Sequence, residues 1–175
     1  MRGTWLIFLL TIGARCVAQQ ESKSGHSVRG GGFGFNYVYQ HSHGLELHGD
    51  YLYTYQPYWA DHMYVIGPEA QAGGHYGSTF FVGNSIGLRQ MLLFQGIAGI
   101  TAKVALENYA EKWGEQDTRV SLRAGLTLLG YVSVEYGRSQ PISAGPLLVG
   151  NEVLTVRLAF SSSILERVFQ NVPIS

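Results

Sequence analysis

The sequence predicts an all-β protein, an antiparallel up-and-down barrel of about eight strands with its apolar face outside. Three observations predict it. Apolar and polar residues alternate with period two through eight segments, the signature of strands with two unlike faces. Gly and Tyr are abundant, 23 and 11 of 175 residues, while charged residues are only 14%, against roughly 25% in an ordinary soluble domain. The charges on the polar face of the segments also balance in sign.

The first segment, 31–40, sets Phe33, Phe35, Tyr37 and Tyr39 against Gly32, Gly34, Asn36 and Gln40. The second, 45–56, sets Leu45, Leu47, Tyr51, Tyr53 and Tyr55 against Glu46, His48, Asp50, Thr54 and Gln56. The third, 64–74, is weaker: Tyr64, Ile66, Ala70 and Ala72 oppose Glu69 and Gln71. Pro68 sits in its middle, and a residue that cannot donate to a ladder predicts a bulge or local irregularity there. In 80–91, Phe80, Val82, Ile86 and Leu88 oppose Gly83, Ser85, Gly87 and Arg89. In 97–108, Ala98, Ile100, Ala102, Val104 and Leu106 oppose Thr101, Lys103 and Glu107. In 118–127, Val120, Leu122, Ala124 and Leu126 oppose Arg119, Ser121, Arg123 and Thr127. The short seventh segment, 131–137, sets Val132, Val134 and Tyr136 against Ser133 and Glu135. The eighth, 152–160, sets Leu154, Val156, Leu158 and Phe160 against Thr155, Arg157 and Ala159. Most approach the 9–11 residues, roughly, that a tilted strand needs to cross a bilayer.

Parity constrains one turn. A two-residue loop at Leu129-Gly130 would put Ser133 and Glu135 on the apolar face. A three-residue loop, Leu128-Leu129-Gly130, pairs Thr127 with Tyr131 and keeps the polar sets together, with Gly130 in the left-handed position. Connections 109–117 and 138–151 read as long and polar, and 41–44 as short. Long loops after the fifth and seventh strands fit a barrel whose termini share the short-turn end.

The ends read as an export signal and two flanks. Arg2 supplies a positive region, Trp5 to Leu10 an apolar run, and Cys16-Val17-Ala18 a small-residue cleavage site before Gln19, the pattern of a secretory signal peptide. Residues 1–18 are thus expected to be removed, 19–30 to form a polar flexible lead-in, 31–160 the barrel and 161–175 a tail. The apolar run is too short for a spanning helix, which takes about 20 residues. Cys16 is the single cysteine and leaves with the signal, so no disulfide or thiolate metal site is expected. No clustered basic face marks a nucleic-acid partner.

The charges on the polar faces are Glu46, Asp50, Glu69, Glu107 and Glu135 against Arg89, Lys103, Arg119, Arg123 and Arg157, five acids and five bases. A water-exposed sheet needs no such balance. A narrow eight-stranded barrel encloses its inward side chains, so charges there must pair. On the other face Tyr51, Tyr53, Tyr55, Tyr58, Trp59 and Tyr64 gather around one connection, as in the aromatic girdles that mark a membrane surface. Outward apolar and inward charged faces together predict a transmembrane barrel, the competing reading being a soluble β-sandwich with an aromatic core.

These residues resemble the small eight-stranded outer-membrane barrel proteins of Gram-negative bacteria, over nearly all of the chain beyond the signal. The run Arg119-Val120-Ser121-Leu122-Arg123-Ala124-Gly125-Leu126-Thr127-Leu128-Leu129-Gly130-Tyr131, followed by Glu135-Tyr136-Gly137, is similar to a hairpin of uncharacterised members. The resemblance implies an outer-membrane location, contact with its lipids, and insertion by the barrel-assembly machinery, as a monomer. Phe160 matches the aromatic residue on which such barrels end, but Ser161 to Ser175 follows it. That tail, with Ile164, Leu165, Val168 and Phe169, reads as a short amphipathic helix at the periplasmic surface or a folded-back plug.

The chemistry-bearing residues are few. His41, His43 and His48 lie near one hairpin and His26, His62 and His75 elsewhere, without the carboxylate spacing of a known metal site. Ser42 beside two histidines raises a lipid-A-modifying barrel hydrolase, but a serine in a tight turn is more often turn chemistry. No catalytic residue, metal or cofactor is therefore expected. A charged network fills the interior in place of an open pore. The role left is structural or binding by exposed loops, with Tyr109, Trp113 and the segment 141–151 as the external candidates; the alternatives are the hydrolase and a soluble periplasmic β-sheet binding protein.

Overall fold

A computed structural model describes residues 25–112, 115–142, 149–162 and 164, so the expected signal and nearly all of the tail lie outside the described residues. The strands are β1 (Gly25–Tyr39), β2 (His43–Pro57), β3 (His62–Tyr76), β4 (Phe80–Phe94), β5 (Ala98–Lys112), β6 (Glu115–Leu128), β7 (Val132–Pro141) and β8 (Glu152–Ser161). Each pairs antiparallel with the next, and β8 returns to β1 to close the barrel. Closure leaves no full-length edge to aggregate.

The stagger of the ring can be read from the pairing. The partners of Arg29 run through Tyr53, Ile66, Gln90, Ala102, Ala124, Tyr136 and Leu154, then return to β1 at Tyr39, ten residues farther on. Strands so staggered incline to the barrel axis by about 40°. The period-two faces therefore become an inside and an outside. Phe33, Leu45, Leu47, Ile86 and Leu126 are each more than 60% exposed, whereas Glu69, Arg89, Glu107 and Glu135 are at most 3%.

Several expectations from the sequence change. β1 begins at Gly25 and pairs its first residues with 52–57 of β2, taking in the last six residues of the expected lead-in. Glycines and a polar composition hid that stretch. At Pro68 the expected irregularity takes the form of a gap in the ladder and not of a bulge: pairing of β2 with β3 skips Tyr51-Leu52 opposite Gly67-Pro68 and resumes in the same register. The register shift falls instead between Ala110 and Lys112. The connection expected to be long over 109–117 is not, because β5 and β6 extend to Lys112 and Glu115. Among the connections at that end only 142–151 is long, so loop length no longer orients the barrel. The β6–β7 loop does have three residues, but they are Leu129, Gly130 and Tyr131, since Leu128 pairs with Val132. Parity is unchanged by that two-residue move, so the polar faces stay together. Leu129 and Gly130 both have positive φ, and Tyr131 N–H donates to Leu128 O at 3.0 Å, the pattern of a type I′ turn. The β4–β5 turn repeats it: Gln95 and Gly96 have positive φ, and Ile97 N–H donates to Phe94 O at 3.0 Å.

The interior is layered. At the end where β1 begins and β8 finishes, Leu52, Met63, Val65, Met91, Leu93 and Ile164 form an apolar floor with Tyr131 against it. Burial there pushes the Tyr131 hydroxyl above its ordinary pKa. Ile164, from the first residues of the tail, is fully buried, so that part of the tail plugs the barrel. At the opposite end Phe81, Tyr109 and Val149 form a second apolar cluster. The charges lie between the two.

Close strand approach depends on glycine. A Cβ on Gly125 would lie 1.9 Å from Val134 O and 2.7 Å from Glu135 Cα, both backbone atoms of β7. Gly125→Val must push β6 and β7 apart where Glu135 enters the network. It is expected to cost about 1–3 kcal/mol, the range of overpacked cores, read as a lower urea midpoint of the folded barrel. An unchanged midpoint would show that the strands separate freely there.

The charged interior as candidate functional site

Alternation on eight strands aims the ten charged residues inward, and all ten are buried. Glu69 on β3 is their hub. It receives Arg89 Nε at 2.7 Å, Lys103 Nζ at 2.8 Å and Arg157 Nη1. Arg89 also reaches Glu135 on β7 and donates to Thr101 at 3.1 Å. Arg157 on β8 holds Asp50 on β2 at 2.5 Å. Three acids thus meet three bases at one level. Arg89–Glu135 and Arg157–Glu69 join strands that are not neighbours, so these side chains cross the lumen. Burial alone would drive each group toward its neutral form, and reciprocal pairing opposes that.

A second cluster sits nearer the end where β1 finishes and β8 begins. Glu107 accepts from Arg123, from Ser121 Oγ at 2.7 Å, Ser139 Oγ at 3.0 Å and the Tyr109 hydroxyl at 3.2 Å. Arg119 pairs with Asp117 at 3.1 Å and donates to Val149 O at 2.7 Å and Asn151 Oδ1 at 2.5 Å. It thereby ties the β7–β8 connection over the barrel mouth. Gln40 helps by donating to Gly150 O at 2.8 Å.

Glu46 has a different partner from the one expected. Among the described residues no Arg or Lys reaches it; His75 Nε2 stands 2.9 Å from its carboxylate. His75 stacks on Phe81 and meets Tyr109 edge-on. Its place depends on Gly44, where a Cβ would fall 2.3 Å from the imidazole. The described interior therefore carries six acids, five Arg or Lys, and the histidines His48 and His75. The sixth acid, Asp117, was hidden in what read as a loop, although alternation back from Arg119 points to it.

Two further placements correct the sequence reading. Tyr109, expected on an exposed loop, is buried and donates to Gln40 Oε1 at 3.0 Å, because β5 continues past it. Tyr55, expected in the outward aromatic group, is also buried. Its ring lies over Gly25, where a side chain would collide with it. Tyr51, Tyr58, Trp59 and Tyr64 are exposed, and Arg29 sits 5.5 Å over the half-buried Tyr53 ring. Trp113 lies outside the described residues, as do 143–148 of the 141–151 segment.

The remaining candidates are not assembled into a reactive centre. Ser42 is buried with its hydroxyl 3.5 Å from Gln40 O. His43 Nδ1 meets the Tyr37 hydroxyl at 2.5 Å on the outer face, while His48 is buried inside, so the hairpin histidines diverge. Among the described residues no group of three or more His, Cys, Asp or Glu could hold a metal ion. No known family model matches the chain, and no curated protein matches it.

Proposed function

We propose that this barrel spans an outer membrane, with a structural role or one in binding through its external connection, and with an interior bridged by ion pairs in place of an open pore. One observation carries the reading. The polarity of the fold is inverted: large apolar side chains cover the outside, and the charges are enclosed. Soluble monomers rarely expose contiguous apolar patches beyond roughly a few hundred Å², whereas a bilayer is the solvent such a surface needs. The lumen-crossing Arg89–Glu135 and Arg157–Glu69 pairs support a filled interior.

The test is fractionation of cells making the full chain. The protein is expected in the membrane pellet after a carbonate wash, with unheated samples migrating differently from boiled ones on electrophoresis. Recovery as a soluble monomer in the aqueous periplasmic fraction would leave the outward apolar face without its solvent and end this reading.

A further inference from the structure

Two polar stations interrupt the outer wall of β4: Asn84, paired with Asn108 of β5, and Gln90, which lies among apolar neighbours. Gln90 faces outward from β4, half-buried, flanked on its own strand by Leu88 and Leu92. The outward positions around it, from Tyr64 to Ala72 on β3, Ala98 to Leu106 on β5 and Val120 to Leu128 on β6, are all apolar or Tyr. Its amide makes no hydrogen bond to another described residue. An amide in hydrocarbon without a partner is costly, so a ligand that supplies one is strongly favoured there.

Gln90 also lies in a groove. It pairs with Ala102, and Ala102 with Ala124. Two methyl-sized side chains in a row beside it leave a depression of about 580 Å³, bounded by Tyr64, Ile66 and Leu92. Tyr64 and Leu92 are paired across β3 and β4, two residues, or ~7 Å along the strand, toward the end where β1 begins. An aromatic ring at that level marks the headgroup boundary of a bilayer. The amide then stands just inside the boundary, at the depth of the ester carbonyls that join acyl chains to glycerol.

We infer that this groove is a binding site for a single diacyl lipid, one acyl chain lying over Ala102 and Ala124 and its ester carbonyl accepting a hydrogen bond from the Gln90 amide. The site is apolar with one directional polar group, the usual composition of a small-molecule site. It rests on the membrane-spanning reading above.

The test reconstitutes the full chain into vesicles of diester phosphatidylethanolamine, or of its dialkyl ether analogue, which lacks the carbonyl. Lipid retained after detergent extraction is counted by native mass spectrometry. The parent chain is expected to retain diester lipid about tenfold better than Gln90→Leu, the worth of one hydrogen bond in an apolar setting, and to hold the ether analogue no better than that variant does. Ala124→Phe, which fills the groove from β6, one strand removed from Gln90, is expected to lose the lipid in both vesicle types. Equal retention by the parent and Gln90→Leu overturns the site, as does a parent that purifies as a dimer through this face. A chain that never enters the vesicles overturns the membrane reading as well, so the two failures are distinguishable.

Discussion

Glu69→Ala is expected to destabilise the barrel by about 3–5 kcal/mol, the cost of breaking a buried pair and stranding its partners. Glu69 is the common acceptor of Arg89, Lys103 and Arg157. Without it three enclosed cations face only Asp50 and Glu135, and their mutual repulsion acts in a low dielectric. The measurement is the urea midpoint of refolded protein in detergent micelles. Combining Glu69→Gln with Lys103→Met removes one charge of each sign and is expected to recover part of the loss. That non-additivity is what separates an electrostatic network from simple packing. A Glu69→Ala barrel with the parent midpoint would mean that the cations are satisfied without it.

The second large effect comes from the opposite face. Ile86 on β4 is 65% exposed, is followed on the same face by Leu88, and pairs with the outward Ala70 and Leu106 of the neighbouring strands. Ile86→Arg is expected to cost about 2–4 kcal/mol when the chain folds into vesicles, as for a charge on the lipid face near the midplane. The same substitution on a water-exposed wall stays within roughly 0.5 kcal/mol. Gln140→Arg, at an exposed position near the end of β7, supplies the control, with a cost of about 0–1 kcal/mol expected near an interface. Equal, negligible costs at both positions would show that water, not lipid, covers Ile86. The two substitutions therefore probe the two halves of one idea, charges within and grease without.

Much of this architecture is legible in the residues because a strand has only two faces. Period two needs no knowledge of neighbours, so the eight strands and the inward aim of Glu69 or Arg123 follow from local order. The strand ends were harder. Gly25 to Gly32 and Asn108 to Glu115 mix glycine, polar and charged residues, and neither stretch shows the apolar half of the alternation clearly. The inward positions of Tyr109 and Asp117 were lost with those ends. Tyr55 fails for another reason: its parity points outward, but Gly25 on the adjacent strand leaves space for the ring to fold over.

The amino-acid order by itself determined the fold class, the sorting of side chains into an apolar and a charged set, and the near balance of that charge. Which acid meets which base was decided only by the closed barrel. Glu69 and Arg157 lie 88 residues apart in the chain, and His75, not Arg or Lys, answers Glu46. The reason is the ten-residue stagger accumulated around the ring: it sets the height of every inward side chain on the shared axis, and no single strand carries that sum.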